Sequence, residues 1–308
     1  MKISTSFLFD RATERMSTIQ NKLATTQAQM AEGKQILSPS AAPDQAAAIQ
    51  RLKGEVQRQE SHMRTLDVAM RRYTAEETAL SASNDILTRM KELGLQAAND
   101  TLAPFDRKAI GVEMQALRDQ LLSLGNSRDD SGNYLFSGTR VNTPAFAEDA
   151  NGKVIYLGDQ TQTRIPAGVE RTVQFTRAGT DVFSRVVREN PDQTTSSVGF
   201  FEALDEMIEG VNGNNTSKIQ RGISDLTQMH NNLTLSQAQN GSDQTVVQSQ
   251  RDVLDEAALR YKSTLSEIED LDYAEAVTRM NKEMMALEAA MGSFAKISGL
   301  SLFDYIRG

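Results

Sequence analysis

Residues 273–294 read YAEAVTRMNKEMMALEAAMGSF. Tyr273, Val277, Met280, Met284, Leu287, Met291 and Phe294 recur at alternating spacings of four and three. That alternation keeps side chains on one face of a helix and defines a heptad seam. Met285 lies beside it. Methionine is unbranched and polarizable, so a face rich in it adapts to partners of different shape. Such a face is either core within the chain or a surface that something else completes.

The opposite end carries a matching pattern. Phe9, Ala12, Met16, Ile19, Leu23, Thr26, Met30, Gly33 and Leu37 alternate at three and four until SPSAAPD, residues 38–44. Pro39 and Pro43 disfavour helix in the residues before them, and Pro43 suits the first turn of the next helix. A second seam follows: Ile49, Leu52, Val56, Gln59, Met63, Leu66, Met70, Tyr73, Glu77 and Leu80, on a helix predicted to reach about Asn99. After NDTLAPFD a third runs through Ile110, Met114, Leu117, Leu121 and Leu124 and stops at Gly125-Asn126.

Between about 130 and 195 the character changes. SGNYLFSGT, NGKVIYLGD, TQTRIPAG and RTVQFTRAG are short β-branched or aromatic runs punctuated by glycine, proline and asparagine. They read as strands and hairpins, with Asn151-Gly152 as a type I′ turn. Helices return over about 198–211, 215–239 and 243–269, with a turn at SQAQNGSDQT (236–245). The last of these carries Val247, Leu254, Ala258, Tyr261, Leu265 and Ile268. The five-residue step from Ile268 to Tyr273, across EDLD, breaks the heptad register and marks a hinge or boundary.

The expected fold is therefore mainly α with a small β-rich insertion, an elongated rod of long coiled-coil-like helices with both termini at one end. Its segments are 1–42 and 270–308 as terminal helices, 43–130 and 198–269 as an inner helical domain, and 131–197 as a β-rich insertion. For the inner helices a Leu or Met stripe is plain core, because several helices cover one another. The terminal seams have little in the chain to cover them. Burial of one stripe against one helix does not offset the entropy of ordering such a segment, so both ends are expected to become helical only when packed against neighbours.

Composition excludes several functions. The 308 residues contain no cysteine and no tryptophan and carry a formal charge of −8. Without cysteine there are no disulfides, thiolate metal sites or thiol nucleophile. The acidic balance and the lack of a basic block argue against a nucleic-acid footprint. The apolar run Phe7-Leu8-Phe9 ends at Asp10, too short for a cleaved signal core, and no stretch is long and apolar enough for a membrane span. His62 and His230 stand apart from other ligand types, and neither begins an H-E-x-x-H pattern. EDANGKV fails as a calcium loop: with Gly152 sixth, Ala147 and Gly158 would be first and twelfth, and neither offers a carboxylate. Glu76-Glu77 reads as helix surface or seam edge, and Asp129-Asp130 as the opening of a turn. No phosphate loop or nucleophile motif is present, so no catalytic, cofactor or metal residue is expected.

MKISTSFLFD, MAEGKQILSPSAAPDQAAAIQRL, NSRDDSGNYLFSGTRVNTPAF and IEDLDYAEAVTRMNKEMMALEAAMGSFAKISGLSLFDYIRG occur here in order. Together they resemble the bacterial flagellin family: a Gly-Lys step into a Ser-Pro-rich loop, an Asn/Gly-aromatic-Leu-Phe-small-Gly turn, and a helical C-terminal end. The ending SLFDYI resembles the hook–filament junction members more than flagellin itself, whose tail usually carries paired leucines. SQAQNGSDQT departs from the Val-Gly or Ile-Gly step of the family.

The resemblance implies a structural role in the flagellum, between a hook-associated adaptor below and flagellin above, beside copies of itself. It implies terminal helices in an inner tube, export as unfolded chain without a cleaved signal, and a cytoplasmic chaperone on the C-terminal region. The residues expected to carry assembly are Phe9, Met16, Ile19, Leu23, Met30, Val277, Met280, Met284, Leu287, Met291 and Phe294. The alternatives are a flagellin filament subunit and a soluble secreted coiled-coil binding or tip protein.

Overall fold

The computed structural model describes residues 2–99, 101–168, 171–189 and 194–306. Two of its long helices open on proline, whose missing N–H falls where a helix leaves that donor unused. In chain order the helices are α1 (Lys2–Glu32), α2 (Pro43–Ala97), α3 (Pro104–Gly125), the single turn α4 (Gly179–Val182), α5 (Phe200–Asn212), α6 (Thr216–Glu269) and α7 (Tyr273–Ile306). Among the described residues no helix is long and apolar enough to cross a membrane.

Three antiparallel hairpins lie between α3 and α5. They are β1 (Phe146–Glu148) with β2 (Val154–Tyr156), β3 (Arg164–Pro166) with β4 (Thr172–Gln174), and β5 (Val186–Glu189) with β6 (Thr195–Val198). Phe146 stands opposite Tyr156, Ile165 opposite Val173 and Val187 opposite Ser197. The mainly helical fold with a small β-rich insertion is thus as expected from the sequence.

Several local expectations are overturned. The stretch SGNYLFSGT forms no strand; it is irregular chain held by isolated bridges, Arg128 to Tyr134 and Ser137 to Ala178. Its glycine is required: Gly138 has φ +66°, and a Cβ there would stand 2.3 Å from the carbonyl oxygen of Asp159. The hairpin at Asn151-Gly152 is not type I′, since only Gly152 has positive φ (+79°). Asp149 instead closes the turn, its carbonyl accepting from Gly152 N and its Oδ1 from the amides of Asn151 and Lys153.

No turn interrupts 236–245. One 54-residue helix, α6, runs through it. Asn240 is fully buried and donates from Nδ2 to the carbonyl oxygen of Tyr73 at 2.8 Å, so the Asn-Gly turn signal is overridden by a tertiary bond. At the other end α1 stops at Glu32, ahead of Leu37, because Gly33 turns the chain at φ +68°.

The chain divides into two compact units, Met1–Arg58 with Glu256–Gly308, and Gln59–Asp255. In the second, α2, α3, α5 and α6 bury Leu80, Leu87, Met90, Met114, Leu121, Leu204 and Leu226. An aromatic cluster continues this core into the insertion: Phe183 packs its ring 5.2–6.0 Å from those of Phe136, Phe146, Phe200 and Phe201. A smaller core of Leu66, Tyr73, Val173, Val247 and Leu254 sits under the β3–β4 hairpin.

Candidate assembly surface

The first unit is built around α1 and α7, which run antiparallel. Phe9 meets Phe294 with ring centroids 4.9 Å apart, and twenty-one residues further along α1 the carbonyl of Met30 accepts from the Tyr273 hydroxyl at 3.1 Å. Both chain ends therefore lie at the same end of this pair. At the other end the helices are joined backbone to backbone. Leu271 N donates to Gly33 O at 3.0 Å and Gln35 N to Glu269 O at 2.8 Å, either side of a Lys34–Asp270 bridge.

Glu269 carries that joint. Its Oε1 accepts from Lys53 at 2.8 Å and from Lys34 at 2.9 Å. These bonds, Lys53 first, hold its carboxyl below the ordinary range. A Cβ on Gly33 would meet the Tyr273 hydroxyl at 3.0 Å, so the turn and the first residue of α7 are fitted to each other.

On α1 the inward row is Ala12, Met16, Ile19, Leu23, Thr26 and Met30, half-buried except for Thr26, which is buried. This is the row the heptad pattern selects. Phe9 is more exposed but packs its ring, tilted, against that of Phe294.

On α7 the inward row is Ala276, Met280, Glu283, Leu287, Ala290 and Phe294. Met280, Leu287 and Phe294 are the seam residues the structure places against α1. Val277, Met284 and Met291 stay 40%, 38% and 47% exposed, and Met285 61%. Geometry accounts for the split: from Met280, Met284 lies about 40° to one side and Glu283 about 60° to the other, at roughly 100° per residue. The apolar pattern picks out the Val277–Met284–Met291 row together with Met280, Leu287 and Phe294, whereas α1 covers the latter three along with two alanines and a glutamate. The apolar arc of α7 is thus wider than the face α1 covers.

The buried side of the pair is also partly polar. Arg279 donates to Gln29 Oε1 at 3.2 Å, next to Thr26 and Glu283. Arg279 Nε and Glu283 Oε2 are shielded from water without a hydrogen-bond partner.

Among the described residues no three acidic or histidine side chains gather to hold a metal. His62 lies on α2 and His230 on α6.

The chain is similar to known proteins. The family model described as the bacterial flagellin N-terminal helical region matches residues 3–141, and that of the C-terminal helical region matches 219–306. The chain is 25% identical over 320 aligned residues to flagellar hook-associated protein 3 of Salmonella typhimurium, covering 100% of both. Among solved structures it resembles a hook-associated protein from Vibrio parahaemolyticus, described as putative, at TM-score 0.67 and 17% identity over 75% of this chain and 100% of that one. FlgL of Xanthomonas campestris superposes at TM-score 0.62 and 21% identity over 71% of this chain and 99% of that one. Both helical ends of the family match in order around one insertion, with a relative that aligns from end to end: the chain belongs to the bacterial flagellin family.

Proposed function

We propose that the chain is a structural subunit of the bacterial flagellum, placed at the junction between hook and filament. The family is one of structural flagellar proteins, and the relative that aligns end to end is a hook-associated protein. The observation that carries the reading to this chain is the open Val277–Met284–Met291 row beside a filled α1–α7 seam. A helix pair that leaves an apolar stripe along its length has a face for neighbouring subunits.

In this reading Phe9, Met16, Ile19, Leu23 and Met30 close the pair from α1, and Met280, Leu287 and Phe294 from α7. Val277, Met284 and Met291 meet neighbours. Residues 1–42 and 270–308 line the inner tube, 43–130 and 198–269 form the next shell, and 131–197 project outward. The hook-associated adaptor lies below and flagellin above. The subunit reaches the cell exterior through the flagellar export channel without a cleaved signal, with a chaperone on its C-terminal region in the cytoplasm. It works by assembly and catalyses nothing.

Electron microscopy of cells lacking the protein tests this. Hooks without filaments, with flagellin lost to the medium, are expected. Normal filaments on such cells would overturn the assignment. Purified protein should add only a limited layer to hooks; unlimited elongation would make it a flagellin instead.

A further inference from the structure

Glu76 reads in the sequence as helix surface or seam edge, yet it is only 1% exposed. Around it four segments of the second unit converge. Helix α2 supplies Arg72, Tyr73 and Glu76. The loop 127–135 supplies Asp129, which accepts from Arg72 Nη1 at 3.0 Å, and the carbonyls of Tyr134 and Leu135, which accept from Arg72 Nη2 at 3.2 and 2.8 Å. The end of β4 supplies the Gln174 carbonyl to the Tyr73 hydroxyl, and the residues after it supply the Phe175 ring, 5.2 Å from the Arg72 guanidinium carbon, and Arg177. Helix α6 supplies Asn240 to the Tyr73 carbonyl and Asp243 to Arg177 Nη2 at 3.0 Å.

The charges do not balance when all are ionised. Arg72 and Arg177 face Asp129, Asp243 and Glu76: two cations and three carboxylates. Asp129 and Asp243 each take one arginine at 3.0 Å. Glu76 is left with long contacts, 3.4 Å to Arg177 Nε and 3.6 Å to Arg72 Nε. Its Oε1 and the Arg72 Nε have no hydrogen-bond partner. A third carboxylate sealed from water beside two arginines already paired gains little from them and loses its hydration.

We propose that Glu76 is a proton-operated latch: protonated, it lets the two Arg–Asp pairs hold the β3–β4 hairpin and the 127–135 loop on α2 and α6, and ionised, it loosens them. The groups facing it from every packed segment are Arg72 and Tyr73 on α2, Asp129 on the loop, Arg177 after β4 and Asp243 on α6. Burial pushes the Glu76 carboxyl up to about 7, against the pull of Arg177 and Arg72. With the folded value above the unfolded 4.5, the stabilisation is fully present below pH 4.5 and is lost as pH rises through about 7. The expected loss in the folding equilibrium constant is on the order of a hundredfold.

The test uses full-length protein. Denaturant unfolding between pH 5 and pH 9 should show the wild-type midpoint falling relative to Glu76→Gln, whose profile lacks this component and lies above wild type at pH 9. Parallel profiles would overturn the proposal. Carbon-13 NMR of the glutamate carboxyls in the wild type reads the same group without any variant: one should titrate near neutrality, and titration of all of them below pH 6 would overturn it. Amide protection, corrected for intrinsic exchange, should fall at Phe175 and Ala167 above pH 7 while holding in α5. An equal change in both regions would overturn the latch.

Discussion

The Phe9 and Phe294 rings lie 4.9 Å apart at 47°, joining the N-terminal part of α1 to the C-terminal part of α7. Tilted aromatic pairs at this separation contribute about 0.5–1.5 kcal/mol beyond area burial. A double-mutant cycle of Phe9→Leu and Phe294→Leu, read by thermal loss of helix signal, should show coupling of that size. Additive effects would place the contact outside the stabilising set.

Met284→Glu should leave the isolated subunit as stable as the wild type, within about 0.5 kcal/mol, because exposed substitutions cost little. The same change should strongly reduce incorporation into flagella, measured as the fraction of hooks that carry filaments. Leu287→Glu, on the covered face, should damage both.

Phe183→Ala removes a ring in contact with four others and should cost about 3–5 kcal/mol in denaturant unfolding. Leu235→Ala, on an exposed position of α6, should stay within about 0.5 kcal/mol.

Gly138→Ala should destabilise by more than about 1 kcal/mol, since it combines a left-handed backbone with a clash against Asp159 O. Gly152→Ala shares the positive φ but has open space around it, so its cost should be smaller. Equal losses would remove the close approach as the cause.

Glu269 gives the first unit an acid dependence opposite in sign to that of Glu76. Its carboxyl is held below 4.5 in the folded chain by Lys53 and Lys34. The stability it adds is present above the unfolded value and is lost as pH falls through the lower folded one. Exchange at the Leu271 and Gln35 amides should rise, after correction for intrinsic rate, as the pH falls below the unfolded value of 4.5, and Glu269→Gln should abolish the step.

Much of this was legible in the sequence because helices of this length repeat their pattern many times. The Ala12–Met30 row on α1 was readable because its apolar residues coincide with the face that is covered. On α7 they coincide only in part: Met280, Leu287 and Phe294 of the seam face α1 together with Glu283 and two alanines, while Val277, Met284 and Met291 face outward. Asn240-Gly241 misled for a related reason. The local turn preference is real, but the bond from Asn240 to the Tyr73 carbonyl comes from a helix 167 residues away in the chain. Glu76 was hidden likewise, because its neighbours come from three other segments. In each case the deciding interaction is tertiary, and a periodicity read along the chain does not register it.

The backbone joint at Gly33–Gln35 and Glu269–Leu271 also has a mechanical meaning. Its two hydrogen bonds lie across the two short segments they join, as in any antiparallel ladder. A pull that slides one segment along the other therefore loads both bonds together in shear, with the Lys34–Glu269 contact in parallel. Tension entering by one terminus is divided between two strands of chain before it travels further.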